Sequence, residues 1–447
     1  MIQYAQELNI HYNTLDIEEA NIMMKQKEWN KLVKDLFTKY YKDNFNLNDS
    51  AIDRFEQREF GFRNFDGIVQ RHFSFKTFNE LKEFIINYIP SDAYFSSAFY
   101  QKPDEKHMDL KNWLGAELSF DIDIDHVPTK CKLEHDWWKC KSCGFSSKGP
   151  APQKCPNCGS ETIESWSWIC DKCLDAAKDQ VQRLIDEFLI SDLGLSPHEL
   201  VISFSGHRGY HVRVKNPDYE HLNVEARGMI IEHIMLPNHK QIIDQSLHEL
   251  MNEKHKISYE IDSHGWRGRI ARGLYEIFSG YTKNMLNEIG IDDKSAEYII
   301  KSRDRILDLI SSKKVYKWKF LNTITPEARK ILINEAINRK KVWIDERVTR
   351  DVKRLMRLPE SLHGSTGFKA SLISYSELDT FTPTKDAVIF KNGEFKVQIT
   401  DNRVHQITIN DYFFNGLNIE KNKPIQVPLS VALYLILNGY AEPVGWA

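Results

Sequence analysis

What the chain lacks narrows its class first. It has no long hydrophobic run. The longest, Val431–Leu437, falls far short of the about 20 apolar residues that a membrane helix needs. Its start, Met1–Asn13, carries neither the basic region nor the apolar stretch of a secretory leader. The two absences lead to the expectation of a soluble protein kept inside the cell, with no membrane partner. An excess of positive charge is also missing. Lys and Arg number 60 against 63 Asp and Glu, for a formal net charge of -3, so any nucleic-acid binding must come from local basic patches. The 7 cysteines are an odd number, which does not close a disulfide framework. Their spacing points instead to metal in a reducing compartment. What is present is a hydrophobic fraction of 41% over 447 residues, enough for roughly two or three packed units with a real core.

The stretch that organises the rest is Glu117–His126, Glu-Leu-Ser-Phe-Asp-Ile-Asp-Ile-Asp-His. From Leu118 it alternates strictly. Leu118, Phe120, Ile122 and Ile124 fall on one face of a strand, and Ser119, Asp121, Asp123 and Asp125 on the other. Residues two apart on a strand lie about 6.5–7 Å apart. Two ionised carboxylates at that separation repel by about 2.5 kcal/mol at an effective dielectric of ~20. Asp is also a poor strand former. A divalent cation between the carboxylates offsets the repulsion, and oxygen-only ligands suit Mg²⁺ or Mn²⁺. An edge strand with a solvated acidic face is the alternative.

Residues 1–57 read as helical and polar, with Trp29, Leu32, Val33, Leu36, Phe37 and Tyr40 as a buried stripe. Phe60, Gly61, Phe62 and Phe65 suggest strands, with Arg58 and Arg71 beside them suited to an ion pair or a phosphate. Thr77–Ile89 is an amphipathic helix stopped by Pro90, and Ala93–Tyr100 a strand. All cysteines lie in 131–173. Cys140-x2-Cys143 and Cys155-x2-Cys158, each followed by a glycine, have the spacing of a zinc ribbon. A third pair, Cys170 and Cys173, is expected to be completed by Cys131 and His135, giving two structural Zn²⁺ sites, one nested within the other.

Asp175–Asp192 follows as a helix. Leu200–Val214 then places Ser205, His207, Arg208 and His211 around a turn with Gly206 and Gly209. Glycines there let backbone N–H groups approach a ligand. Several donors with no acid among them describe a phosphate cradle, and a glycine hairpin with exposed polar residues fits equally well. Residues 218–340 are mostly helical. Within them Asp262–Arg272 is expected to be a connecting loop, with contact to a backbone phosphate as the alternative. Val342–Asp345 reads as a strand end delivering a carboxylate. A helix is expected after it, with Arg347, Arg350, Arg354 and Arg357 as a basic stripe and Pro359 as its stop; His363 comes next. Short strands at Ala387–Lys391 and Phe395–Thr400 flank Asn392-Gly393, the signature of a type I′ hairpin. An apolar helix, Pro428–Gly439, ends the chain.

One chemistry joins these signals. Asp121 and Asp123, with Asp345 from a distant strand, would hold two divalent ions, and Ser205, Arg208, His211, Arg357 and His363 a nucleoside triphosphate. That is the equipment of nucleotidyl transfer. At this point the sequence resembles the catalytic small subunit of the archaeal and eukaryotic DNA primases. The resemblance rests on Arg58-Glu59-Phe60-Gly61-Phe62, Phe120-Asp121-Ile122-Asp123, the cysteines before a helix, Ser205-Gly206-His207-Arg208-Gly209-Tyr210-His211, and Asp345 through His363. These come in the family's order over about residues 30–440. Arg71–Phe75 and Ser96-Ser97-Ala98 look closer to the archaeal form.

The resemblance implies an α+β fold: a mixed α/β catalytic core with a helical insertion and an inserted zinc-binding module. On that scheme 1–130, 174–280 and 341–447 form the core, 131–173 the zinc-binding module with an extra ribbon, and 281–340 a helical subdomain. It also implies that Asp121, Asp123 and Asp345 ligate the catalytic metals. Ser205, Arg208, His211, Arg357 and His363, with His207 and Arg58 beside them, meet the incoming nucleotide. The implied partners are a single-stranded DNA template, nucleoside triphosphates and a primase large subunit. The implied location is the cytoplasm in an archaeon and the nucleus in a eukaryote. Two features depart from the family. His207 stands where many relatives have Arg, which predicts a weaker or pH-sensitive phosphate contact. The ribbon Cys140–Cys158 is additional to the family's zinc ligands, which match Cys131, His135, Cys170 and Cys173. With Trp137, Trp138, Lys139, Lys141 and Lys148 beside it, it fits a nucleic-acid or partner contact and a stabilised loop equally. A primase-related repair polymerase, a metal-dependent nuclease or phosphohydrolase, and a non-catalytic zinc-ribbon DNA-binding protein are the alternatives that the residues leave open.

Overall fold

The computed structural model describes residues 14–47, 51–236, 239–251, 259–312, 317–401 and 403–446. Met1–Asn13, on which the expectation about a leader rests, lies outside them. No helix among the described residues is long and apolar enough to cross a membrane. The fold is mixed α/β and divides into two compact units. One comprises Met1–Lys178, Val201–Leu222 and Asp351–Ala447; the other comprises Asp179–Leu200 and Asn223–Arg350.

The first unit carries the strands. Up to Ile373 these are, in chain order, β1 (Phe60–Arg63), β2 (Val69–Phe73), β3 (Asp92–Ser96), β4 (Ala98–Tyr100), β5 (Trp113–Ala116), β6 (Leu118–Asp123), β7 (Trp137–Cys140), β8 (Ser146–Lys148), β9 (Ile163–Trp166), β10 (Leu200–Phe204), β11 (Gly209–Val214), β12 (Leu355–Arg357) and β13 (Leu372–Ile373). Four sheets are built from them, in the orders β12-β3-β1-β2, β13-β10-β11-β6, β8-β7-β9 and β4-β5. The first packs on the helix Phe78–Tyr88, whose Phe84 ring lies 4.8 Å from that of Phe62. Thr77 caps that helix by accepting the Glu80 N–H, and the helix ends with Ile89 in the left-handed region just before Pro90. Trp29, Val33, Phe37 and Tyr40 of the helix Thr14–Asp43 are buried.

β6 forms as the alternation predicts. Leu118, Phe120 and Ile122 are fully buried, and Asp121 and Asp123 face the other way. The alternation stops one step early, however. Ile124–His126 is a 3₁₀ turn, capped where Asp123 accepts the Asp125 N–H, so Asp125 leaves the strand.

Other expectations are corrected. Ala93–Tyr100 is two strands, β3 and β4, broken at Ser97, whose N–H donates to Arg354 O. Val342–Asp345 is not a strand: Val342 N–H donates to Ile234 O and Trp343 N–H to Gln180 Oε1. The helix after it is only Glu346–Arg350. Asp351 accepts the Lys353 N–H in a turn, and the chain then becomes β12, antiparallel to β3, so the arginine stripe is split between a helix and a strand. Asn392-Gly393 makes no type I′ hairpin. Gly393 has φ 102° but Asn392 is not left-handed, and the strand Glu394–Ile399 pairs with Pro424–Pro428 and Ala441–Trp446. Ala387–Lys391 contributes only a bridge at Val388.

The second unit is helical among its described residues. The helices Gly265–Gly280 and Pro326–Lys340 bury Ile270, Leu274, Ile277, Leu332, Ile333 and Ile337 in one apolar core. Gly265 begins a helix inside the segment expected to be a loop. The arginines there serve internal pairs, Arg267 with Glu249, Arg269 with Glu187 and Asp192, and Arg272 with Glu187.

Candidate active site

The site in the first unit is set by the pairing of β6 with β11. Their antiparallel register puts Asp121 opposite His211 and Asp123 opposite Gly209. The strands come close because Gly209 has no side chain: a Cβ there would lie 2.5 Å from Ile122 O. His211 Nε2 is 3.6 Å from Asp121 Oδ1. Arg208, one residue before β11, reaches both neighbouring acids, with Nε 3.3 Å from Asp123 Oδ2 and Nη2 2.8 Å from Asp125 Oδ2.

The turn between β10 and β11 is tighter than a cradle of free amides. The His207 and Gly209 N–H groups donate to Ser205 Oγ, at 3.4 and 3.2 Å. Those two amides are therefore turned inward, and the side-chain donors at the turn include the Ser205 hydroxyl proton. Gly206 has φ 85°, and a Cβ on it would stand 2.9 Å from His363 Cβ. Thr366 Oγ1 donates to Gly206 O at 2.6 Å, which fastens the 363–368 segment to the turn. The rings of His207 and His363 are 4.8 Å apart. His363 Nδ1 accepts the Ser365 N–H, so the neutral ring carries its proton on Nε2.

Arg357 arrives from β12 in the adjacent sheet. Its guanidinium lies over Tyr94 and pairs at 2.5 Å with Asp92, which is buried and also accepts the Gly364 N–H. Burial alone would raise the Asp92 pKa, but Arg357 outweighs it and keeps the carboxyl ionised. Burial, reinforced by nearby arginines, pushes His207 and His211 down to about 3 and His363 well below its ordinary value. All three imidazoles are neutral near pH 7, so the position where Arg was expected carries no charge, and its pH sensitivity falls in the acid range. A cavity of about 410 Å³ adjoins the turn, lined in part by His207, Arg208, Trp166, Arg403 and Tyr440.

Asp345 stands in the second unit. It caps the helix Glu346–Arg350, its Oδ1 accepting the Arg347 N–H at 2.9 Å.

The 7 cysteines and His135 gather into two groups of four. Cys131, His135, Cys170 and Cys173 form one, and Cys140, Cys143, Cys155 and Cys158 the other, with the donor atoms of each group within 4.8 Å of one another. Sulfur separations of 3.5 to 3.7 Å run through both groups. Tetrahedral Zn²⁺ with Zn–S of about 2.3 Å sets its sulfurs about 3.8 Å apart, so the donors fit that ion. His135 Nε2 is 3.3 Å from Cys173 Sγ, and its Nδ1 is 2.8 Å from Asp136 Oδ1, the carboxylate–histidine arrangement common at metal sites.

Arg58 is corrected. It is completely buried. Its guanidinium pairs with Glu117 and Asp53 and donates to Ser96 O and Ser97 O, so no donor is left for a nucleotide. Sequence reasoning also missed Asp92 and Thr366, which position Arg357 and the turn. Neither sits in a recognisable pattern, because each acts through a partner more than 150 residues away.

The family model for the DNA primase small subunit matches residues 156–373. A DNA primase small subunit from Picrophilus torridus is 30% identical over 89% of this chain and 94% of its own length. This chain belongs to the DNA primase small subunit family. Primase small subunits from Cenarchaeum symbiosum and Thermoplasma volcanium are 29% and 28% identical, covering 92% and 94% of this chain and 98% and 99% of their own lengths. The family expected from the motifs is thereby borne out, and with it DNA primase function and chemistry of the nucleotidyl-transfer type. All three relatives are archaeal, as the Arg71–Phe75 segment suggests. The primase match spans the Ser205–His211 turn and Asp345–His363.

Proposed function

We propose that this chain synthesises primers de novo on single-stranded DNA, joining nucleoside triphosphates with Asp121, Asp123 and Asp345 as the metal-binding acids. The observation that carries the reading is the β6–β11 register, with two partly exposed carboxylates on one strand facing an imidazole on the next and an arginine just before it. Carboxylate oxygens of this kind suit Mg²⁺ or Mn²⁺. Such ions lower the pKa of an attacking hydroxyl and neutralise a leaving pyrophosphate. The protein's part is to hold the phosphates. Arg208 and Arg357 supply fixed charge, Ser205 a hydroxyl, and the neutral His207, His211 and His363 uncharged donors. Neutral donors orient a polyanion without adding further repulsion among the cations already present.

In the same reading the two cysteine groups hold structural Zn²⁺, the second as a zinc ribbon within 131–173. The catalytic core is the unit of Met1–Lys178, Val201–Leu222 and Asp351–Ala447, and the helical subdomain expected at 281–340 takes in 179–200, 223–280 and 341–350 as well, which the expected bounds had given to the core. A primase large subunit is the partner, and the cytoplasm of an archaeal cell the location.

Incubation of the purified chain with a single-stranded template, labelled triphosphates and Mn²⁺, with and without primer, tests the reading. Products formed without primer are expected. Degraded template with no incorporation would turn the assignment to hydrolysis, and extension only from a primer would turn it to a repair polymerase.

A further inference from the structure

The sheet β8-β7-β9 has two unlike faces. β7 is its central strand. Trp138 and Cys140 pack with Cys155 and Ile163 into a small core. Alternation turns Trp137 and Lys139 to the opposite face. The register sets Trp137 between Lys148 on β8 and Trp166 on β9. Lys148 Nζ lies 5.4 Å from the centre of the Trp137 ring, and Arg403 Cζ lies 3.9 Å from that of Trp166. Lys139 and Lys148 are exposed, and both tryptophans are partly exposed. The acids nearby are Glu164, opposite Lys139, and Asp401, which is engaged by Arg403 at 2.7 Å. Trp166 and Arg403 also line the cavity of about 410 Å³ that His207 and Arg208 line. A row of cation, indole, indole and cation thus runs from the outer edge of the ribbon sheet to the phosphate-binding turn.

We propose that this face is a track for single-stranded nucleic acid. Bases stack on Trp137 and Trp166, and backbone phosphates meet Lys139 and Lys148. Neighbouring strands are about 4.8 Å apart, so two cross-strand indoles offer adjacent stacking platforms. Aromatic platforms between cations are how sequence-tolerant single-strand binding is built. This narrows the sequence-based idea of a contact surface. Trp138, which is buried, drops out of it, and Trp166 and Arg403 join. The proposal rests on the primase reading for its direction, since the track leads to the turn assigned to triphosphate.

The test is fluorescence anisotropy of a labelled oligothymidylate with the full-length chain, in the absence of triphosphates and catalytic metal. Trp137→Ala is expected to weaken binding about tenfold, the effect of losing one stacked base. Lys148→Ala is expected to make log affinity against log salt shallower by about 0.7, one phosphate contact. Zinc content, measured on both variants, is expected to equal that of the parent chain. Unchanged affinity and salt slope in both variants would overturn the track, including the case in which large-subunit association falls instead. So would a loss confined to Trp137→Ala and accompanied by loss of zinc. Because no synthesis is read, failure here is distinct from failure of the primase assay, which leaves this binding untouched.

Discussion

The two ends of β6 hold acids of opposite kinds. Glu117, just before the strand, is 1% exposed and is held by Arg58 and Arg213, which donate to both of its oxygens at 2.9 to 3.3 Å. Burial would raise its pKa, but Arg213 and then Arg58 outweigh burial and hold it at about 2. Asp121 and Asp123, a few residues on, are 20% and 27% exposed and meet their basic neighbours at 3.3 to 3.6 Å. One acid has its geometry saturated, and its charge is locked into the fold. The other two meet their basic neighbours at longer range and stay partly exposed. The difference teaches how to tell a carboxylate locked into the fold from one that stays within reach of a ligand: by how deeply it is buried and how closely charged donors hold it.

The largest effect expected from this contrast is on synthesis. Asp121→Asn and Asp123→Asn should each lower primer synthesis by about a hundredfold to a thousandfold, the range for losing a group that stabilises transition-state charge. Their thermal unfolding midpoints should hold or rise, since a repulsion is removed. Retained synthesis in either variant breaks the comparison at its open end. Glu117→Gln should do the reverse. It removes the carboxylate that Arg213 and Arg58 share and leaves Arg58 with Asp53 alone as counter-charge, a loss of about 3–5 kcal/mol readable by denaturant unfolding, while the folded fraction still synthesises. The Glu117 contribution is complete above its ordinary value of 4.5 and is lost as pH falls toward about 2. The variant should therefore also lack that part of the acid-induced loss of stability.

The strand itself was legible because its period is written in single residues: buried Leu118, Phe120 and Ile122 alternate with polar positions. The cysteine pairs were legible for a similar reason, since two thiolates on one tight turn must converge. The basic segment 346–357 misled because arginine spacing every three or four residues looks the same on a solvated helix. What ended the helix was an aspartate turn and a free strand edge on β3, and the second of these lies elsewhere in the chain. Arg58 illustrates the same limit. Whether an arginine grips a phosphate or a buried glutamate depends on Glu117, 59 residues away. Asp92 was invisible because its meaning comes entirely from Arg357, 265 residues on.

A smaller effect sharpens the open end. Arg208 is ion-paired on the surface of the site, not locked within the core. Arg208→Ala should leave stability nearly unchanged and raise the KM for triphosphate by about tenfold to a hundredfold, the equivalent of one charge-assisted hydrogen bond. If the variant instead unfolds readily with an unchanged KM, Arg208 belongs with Arg58 and Arg213 as scaffolding.

The smallest effect concerns a base, not an acid. His207 has an ordinary value of 6.5 and a folded value of about 3, set by burial first and then by Arg208 and Arg357. Below pH 6.5 the unfolded chain takes up this proton and the folded chain refuses it. Stability therefore declines as pH falls from 6.5, and this decline ends near 3. His207→Gln should flatten the slope of unfolding free energy against pH between 6.5 and 5 by about one proton, with no change above pH 7. An unaltered slope would mean that His207 protonates freely in the folded chain. The turn would then carry a titrating charge near neutral pH, and triphosphate binding would tighten as pH falls through that range.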